Sequence, residues 1–277
     1  MITSCVDLHD AFFSCYPSLS MKIATWNVNS IRARMERLRA WLDAQAPDVL
    51  CLQEIKVEDK AFPAEELGSL GYHVAAYGQK TYNGVALLAR QPFDDIVRGF
   101  DDGVEDAQAR FLAARVAGVR VGSLYVPNGQ AVGTDKFAYK LAWLARLRAW
   151  LAAHAEASQP LVLCGDINIA PEDRDVYDPE AWRDQVMCHP QERAALTEVR
   201  RWGLVDVFRQ LHPEPGLYTW WDYRQLGFPK NRGLRIDHIL CTEAMATRCR
   251  SVVIDRDARK GQTPSDHAPV VAEFADL

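Results

Sequence analysis

Five short polar clusters stand out because each lies at the edge of an apolar run. They are Thr25-Trp26-Asn27-Val28-Asn29, Leu50-Cys51-Leu52-Gln53-Glu54, Leu163-Cys164-Gly165-Asp166-Ile167-Asn168, Arg235-Ile236-Asp237-His238 and Ser265-Asp266-His267-Ala268-Pro269-Val270. An acid beside a histidine can hold one ring nitrogen and raise the basicity of the other, or share a metal with it. Glu54 offers the hard carboxylate oxygen that Mg²⁺ prefers, and such an ion keeps several waters instead of an all-protein cage. Asp166 and Asn168 point to one face if their strand continues past the acid. Each cluster also has an ordinary reading. Asn27 and Asn168 can cap turns, Glu54 can pair with Lys56, and Asp237 with Arg235. Taken together, acids, amides and a histidine at several strand ends describe one polar bowl, placed where α/β sheets build their sites.

The elements that must carry these groups follow from the apolar pattern. Stretches 22–28 and 48–53 read as strands with a helix over 31–45 between them, which is α/β syntax. Asn83–Ala89, Phe111–Val116 and Val119–Val126 are strands close in sequence, so antiparallel hairpins are expected too, with Gly118 in the turn between the last two. Arg235–Leu240 reads as a strand with an acid inside it. Asp266-His267 is expected on the loop entering a strand from Pro269 to Ala272. Two packed mixed β-sheets flanked by helices fit this alternation better than one doubly wound sheet. At 277 residues and 48% hydrophobic content, with no linker, repeat or low-complexity tract, one large domain over 21–277 is expected.

The net charge of −5 argues mildly against a nucleic-acid partner, but the charge is uneven. Arg32, Arg34, Arg37 and Arg39 crowd one helix, and Lys56, Lys230, Arg232 and Arg235 lie near the acidic clusters in sequence. An acidic body with a basic rim suits an enzyme that grips DNA briefly and needs carboxylates for a metal. The alternative for the arginine run is a solvated helix face. Seven cysteines without a C-x-x-C pair speak against zinc and against a disulfide framework, so a reducing, cytoplasmic setting fits. No apolar run reaches membrane length. Residues 1–20 carry Asp7, His9 and Asp10 without a basic residue, unlike a secretory signal. They read as a disordered extension or the product of an upstream start codon.

The chain resembles the exonuclease III/AP endonuclease family of Mg²⁺-dependent DNA-repair nucleases, within the DNase I-like phosphoesterases. The pieces occur in family order from Met21 onward: the five clusters above, Leu52-Gln53-Glu54-Ile55-Lys56, Asn83-Gly84-Val85-Ala86, Tyr125-Val126-Pro127-Asn128-Gly129, Gly165-Asp166-Ile167-Asn168-Ile169-Ala170-Pro171, Tyr218-Thr219-Trp220-Trp221-Asp222-Tyr223 and Gly233-Leu234-Arg235-Ile236-Asp237-His238. The Leu-Arg-Ile-Asp and Thr-Trp-Trp-x-Tyr pieces point to the DNA-repair branch.

The resemblance implies a four-layer α/β sandwich and Mg²⁺, with Mn²⁺ able to substitute. Glu54 anchors the ion, and Asn27, Asp166, Asn168, Asp266 and His267 complete or orient its surroundings. Asp166 positions or deprotonates water, or protonates the leaving oxygen. His267 is a phosphate ligand or base with Asp237 as its carboxylate partner, and Asn168 and Tyr125 donate to phosphate. Arg32, Lys56, Tyr82, Asn83, Asn128 and Asn231 are expected to contact DNA. Trp221 and Leu234 are expected to line an apolar pocket for a base-less sugar. The segment 173–190, with Trp182 and His189, is a candidate lid. The implied activity is cleavage of double-stranded DNA 5′ to abasic sites by a monomer, with 3′–5′ exonuclease action and cleaning of blocked 3′ ends. A first alternative is a 3′-exonuclease and 3′-phosphatase with little action on abasic sites. A phosphoinositide or sphingomyelin phosphoesterase is disfavoured by Leu234-Arg235-Ile236-Asp237 and by the lack of a membrane-binding stretch. A non-catalytic DNA-binding regulator need not keep Glu54, Asp166, Asn168 and His267 together.

Overall fold

The computed structural model describes residues 20–275, so the expectation for residues 1–20 falls almost wholly outside the described residues. The first apolar run is β1 (Met21–Asn27), followed by α1 (Ile31–Gln45) and β2 (Val49–Gln53), which pairs with β1 in parallel. Ser30 starts α1, its hydroxyl accepting from the Ala33 N–H. Ile31, Leu38, Trp41 and Leu42 recur on one helical face and bury it against the sheet. The chain continues through α2 (Ala64–Ser69), β3 (His73–Tyr77), β4 (Val85–Ala89), β5 (Asp94–Arg98), β6 (Phe111–Val116) and β7 (Val119–Tyr125). Then come α3 (Asp135–His154), β8 (Leu161–Asp166), α4 (Pro179–Trp182), α5 (Pro190–Arg200), β9 (Leu204–Asp206) and α6 (Val207–Leu211). β10 (Asp237–Thr242), α7 (Glu243–Ala246), β11 (Cys249–Ile254) and β12 (Val270–Phe274) complete it. The β6–β7 hairpin turns on Ala117-Gly118, both left-handed (φ 48° and 83°), as a two-residue primed turn requires.

The strands form two six-stranded mixed sheets, ordered β11-β12-β1-β2-β4-β3 and β5-β6-β7-β8-β10-β9. Side-chain alternation assigns each strand residue to a layer. Ile23, Cys51, Leu87, Val121, Cys164 and Ile239 face the other sheet and make the central core. Ala24, Trp26, Leu50 and Leu88 face outward beneath α1. Phe111, Leu124, Leu163 and Leu240 face outward beneath α3 and α5. This is the expected helix–sheet–sheet–helix sandwich. Cys51, Cys164 and Cys241 are buried and free, as their apolar strand contexts predict.

Candidate active site

The alternation that fills the central core also aims the polar residues. Asn27 shares the parity of Ile23, Tyr125 that of Val121, Asp166 that of Cys164, and Asp237 that of Ile239. Each therefore points between the sheets, one step beyond the apolar core. Register then aligns them. Tyr125 pairs with Asp166 across β7 and β8, and Asp166 with Asp237 across β8 and β10. Within the first sheet, Asn27 of β1 lies opposite Gln53 of β2, and Glu54 follows one residue later. Gly165 is indispensable here. With φ at 153°, a Cβ would sit 1.9 Å from the Leu124 carbonyl oxygen.

Asn27 is fully buried and its amide bridges the two acids, donating to Glu54 Oε1 at 2.8 Å and Asp166 Oδ2 at 2.9 Å. The Asn168 N–H donates to Asp166 Oδ1 at 3.0 Å. His267 Nδ1 faces Asp237 Oδ2 at 2.9 Å, leaving Nε2 turned toward Asp166 Oδ2 at 3.8 Å. Ser265 donates to the Asn27 carbonyl at 2.6 Å and thereby ties the histidine loop to β1. Ligand atoms of Glu54, Asp166 and His267 all lie within 4.8 Å of one another.

Burial acts to raise Glu54, but the Lys56 ammonium at 2.8 Å and the Asn27 amide outweigh it and hold the acid below its ordinary value. Asp166 behaves oppositely. Burial, reinforced by Asp237 and Glu54 and opposed by His267, pushes it up to about 7. Burial would depress His267, yet the Asp237 and Asp166 carboxylates outweigh it and carry the imidazole up to about 10. Burial first, then the Glu54 and Asp166 charges, keep the Tyr125 phenol well above its ordinary value, and its hydroxyl bonds Glu54.

Several expectations need correction. β8 ends at Asp166, so Asn168 does not share its face by strand alternation. Asn168 is left-handed (φ 53°), and a turn brings it back to the acid. Its amide donates to the Val126 carbonyl, and its Oδ1 accepts from Asn128 Nδ2. Asp237 opens β10 instead of lying inside a strand, and Arg235 pairs elsewhere. Asp266 stands outside the Glu54–Asp166–His267 trio, with its oxygens accepting from Asn29 Nδ2 and Trp220 Nε1. Trp221 and Leu234 are both 0% exposed and cannot line a pocket. Trp221 packs edge-on against Phe228 and donates to Asn231 Oδ1. Its neighbour Trp220, which pairs with Leu234 and His267 through isolated bridges, faces a cavity of about 340 Å³ with Tyr177 and Trp182. Asn231 is exposed, but its side chain is engaged by Trp221 and the Gly216 carbonyl.

Lys56 is occupied by Glu54 and Asn29. Tyr82 is exposed, and Asn83 donates to Gln79 and Gln108. In the arginine run, Arg34 and Arg37 clamp carbonyls of the 258–264 segment and Asn29, while Arg39 pairs with Glu66. Arg32 is exposed. The candidate lid is stitched to the body: Asp175 is buried, and the Tyr177 N–H donates to the Gly233 carbonyl. His189 caps α5.

Two buried charge networks behind the site were not anticipated. Arg235 donates to Asp175 Oδ1 at 2.6 Å, Asp206 Oδ2 at 2.8 Å and His238 Nδ1 at 2.9 Å, which leaves the His238 Nε2–H for the Ile169 carbonyl. Lys140 and Glu192 form a second, wholly buried pair. The available signal was phase. Lys140 falls on the same α3 stripe as Phe137, Leu144, Leu147 and Leu151.

Residues 24–267 match the Endonuclease/Exonuclease/phosphatase family. The chain is 42% identical to exodeoxyribonuclease III of Haemophilus influenzae, over 92% of this chain and all of that protein. Among solved structures it is similar to NExo, a 3′ phosphatase from Neisseria bound to product DNA hairpin. That likeness has a TM-score of 0.89 and 45% identity over 92% of this chain and 99% of the other. It is also similar to an AP endonuclease from Archaeoglobus fulgidus, again with a TM-score of 0.89, at 40% identity and the same coverage. Likeness that runs through every strand carrying the site places the chain in the endonuclease/exonuclease/phosphatase family, on its exodeoxyribonuclease III side.

Proposed function

We propose that this protein is a Mg²⁺-dependent DNA-repair phosphodiesterase that cuts duplex DNA 5′ to abasic sites, degrades 3′ ends and removes 3′ blocks. The observation that carries the reading is the Glu54–Asp166–His267 constellation, in which an ionised acid, an acid poised near neutrality and a cationic imidazole face one space. The donor set fits a divalent ion, since Glu54 and Asp166 bring hard oxygens together with a surplus of negative charge. A bound Mg²⁺ would supply charge stabilisation at the phosphate, held by Glu54 and Asp166 with Asn27 orienting both.

The remaining work falls to the chain itself. Asp166, fixed by Asn27 and Asn168, is placed to move the proton between water and the departing oxygen. His267 stays cationic against Asp237, which favours phosphate binding through Nε2 over a role as base. Tyr125 keeps its phenolic proton and can donate it in a hydrogen bond to phosphate. Losing such a donor typically costs about 3 kcal/mol of transition-state stabilisation. Trp220, which bridges His267, lines with Tyr177, Trp182 and Arg232 a cavity that suits a base-less sugar and its phosphate, with Arg32 and Tyr82 exposed for the DNA backbone. Among the described residues no helix is long and apolar enough to cross a membrane. The free thiols suit the reducing cytoplasm, where the protein would act as a monomer.

The 45% identity to NExo favours keeping one second reading, a 3′-exonuclease and 3′-phosphatase with little action on abasic sites. A tetrahydrofuran-containing duplex assayed beside a 3′-phosphate duplex separates the two. Comparable turnover on both supports the first reading. Turnover on the 3′-phosphate alone replaces it with the second.

A further inference from the structure

We propose that Lys140 is a positioning residue for catalysis, holding the Asp166–Asn168 turn and Asn128 in register from beneath the site. The proposal rests on the hydrolytic reading above. The Lys140 ammonium is 0% exposed and its three hydrogens meet three acceptors. These are the Asn168 carbonyl at 2.7 Å, the Asn128 carbonyl at 3.1 Å and Glu192 Oε1. Both carbonyls belong to site residues whose side chains bond each other, Asn128 Nδ2 donating to Asn168 Oδ1 at 3.1 Å. Asn168 in turn donates its N–H to Asp166. One ammonium therefore fixes the two ends of a ladder that runs to the proton-transfer carboxylate.

The surroundings are built for this contact. Asn168 is left-handed, a conformation asparagine tolerates, and the Lys140 ammonium holds the carbonyl of that turn. Gly129, also left-handed, leaves room for the lysine stem: a Cβ there would lie 3.2 Å from Lys140 Cδ. Glu192 balances the charge and spends its second oxygen on the His189 N–H at the start of α5. The ion pair is weak evidence of a purely structural role, since buried pairs can often be replaced by apolar residues of similar volume. The specific contribution of the lysine is its grip on the two carbonyls. Glu192 supplies the charge balance and Lys140 the grip, so the two residues are separable.

The test compares Lys140→Met/Glu192→Leu with Glu192→Gln, measuring Tm, kcat and KM on abasic and 3′-phosphate duplexes at saturating Mg²⁺. The double variant removes the grip without orphaning a charge. Its Tm should fall, because two carbonyls and the His189 N–H lose buried partners. Assayed well below that Tm, its KM should stay within about threefold and its kcat should fall at least tenfold. In Glu192→Gln the amide oxygen can still take one hydrogen, and the two carbonyls keep theirs. Tm should drop while kcat stays within about threefold. A double variant with parental kcat overturns the proposal, as does a Glu192→Gln variant that loses kcat equally. If the double variant is insoluble, Lys140→Met/Glu192→Gln, which keeps an oxygen for the His189 N–H and orphans no charge, carries the same comparison. The parent's turnover on the two duplexes reports on the hydrolytic reading, and the ratio of variant to parent reports on positioning, so the two failures are distinguishable.

Discussion

Two clusters of buried charge meet at the chain entering β10, Arg235 belonging to one and Asp237 to the other, and they behave in opposite ways. Around Asp175 and Asp206 the charges balance. Arg235 meets both acids and Arg209 joins it on Asp175, and both acids are held below their ordinary values despite burial. Around Asp166 they do not. Glu54, Asp166 and Asp237 lie together with Lys56 and His267 as their paired cations, and burial drives Asp166 up to about 7. The balanced cluster is satisfied by the protein alone. The unbalanced one is satisfied only by a proton or a cation from outside, which is the physical mark of a working site.

The largest effect should come from the unbalanced cluster. Asp166→Asn removes the proton-transfer group and should lower kcat by about 10²–10⁴-fold while leaving DNA affinity nearly intact. A variant that binds tenfold more weakly yet turns over normally at saturation would reverse the assignment. In the balanced cluster, Arg235→Met leaves two buried acids short of a partner and should cost about 3–5 kcal/mol in urea unfolding. A loss below about 1 kcal/mol would mean that these acids are not held by charge.

The third prediction concerns pH. The folded-state pKa of Asp166 is raised, so its contribution to stability is present below the ordinary carboxylate range and lost as pH rises through about 7. A divalent ion opposes the bound proton. Mg²⁺ affinity should therefore rise from pH 6 to pH 8 with proton release, measured by calorimetry in two buffers of different ionisation enthalpy. Affinity flat across that range would show that Asp166 carries no proton to displace. The smallest effect belongs to the exposed rim. Arg32→Ala should weaken DNA binding a few-fold and reduce the salt slope by about 1, and an unchanged slope would assign Arg32 to a solvated helix face.

The unbalanced cluster was legible in the sequence, and the balanced one was not. Asn27, Glu54, Asp166, Asp237 and His267 each lie at the edge of an apolar run, and strand alternation aims most of them inward. Asp175, Asp206 and Arg235 lie far apart in sequence, and only the fold shows that they meet. The Trp220–Trp221 pair failed for a related reason. Neighbours in an extended segment face opposite sides, and only pairing with Leu234 and His267 fixes which ring faces the cavity. Lys140 had a signal in its stripe, but helical phase alone gives neither its carbonyl partners nor Glu192.

The central claim is that the uncompensated carboxylates serve a divalent ion in phosphodiester hydrolysis. Cleavage of an abasic duplex, followed on a gel in EDTA and after adding back Mg²⁺ or Mn²⁺, tests it most directly. The account predicts no cleavage in EDTA, incision 5′ to the lesion once either ion is restored, and saturation with ion concentration. Full cleavage in metal-free buffer would contradict it.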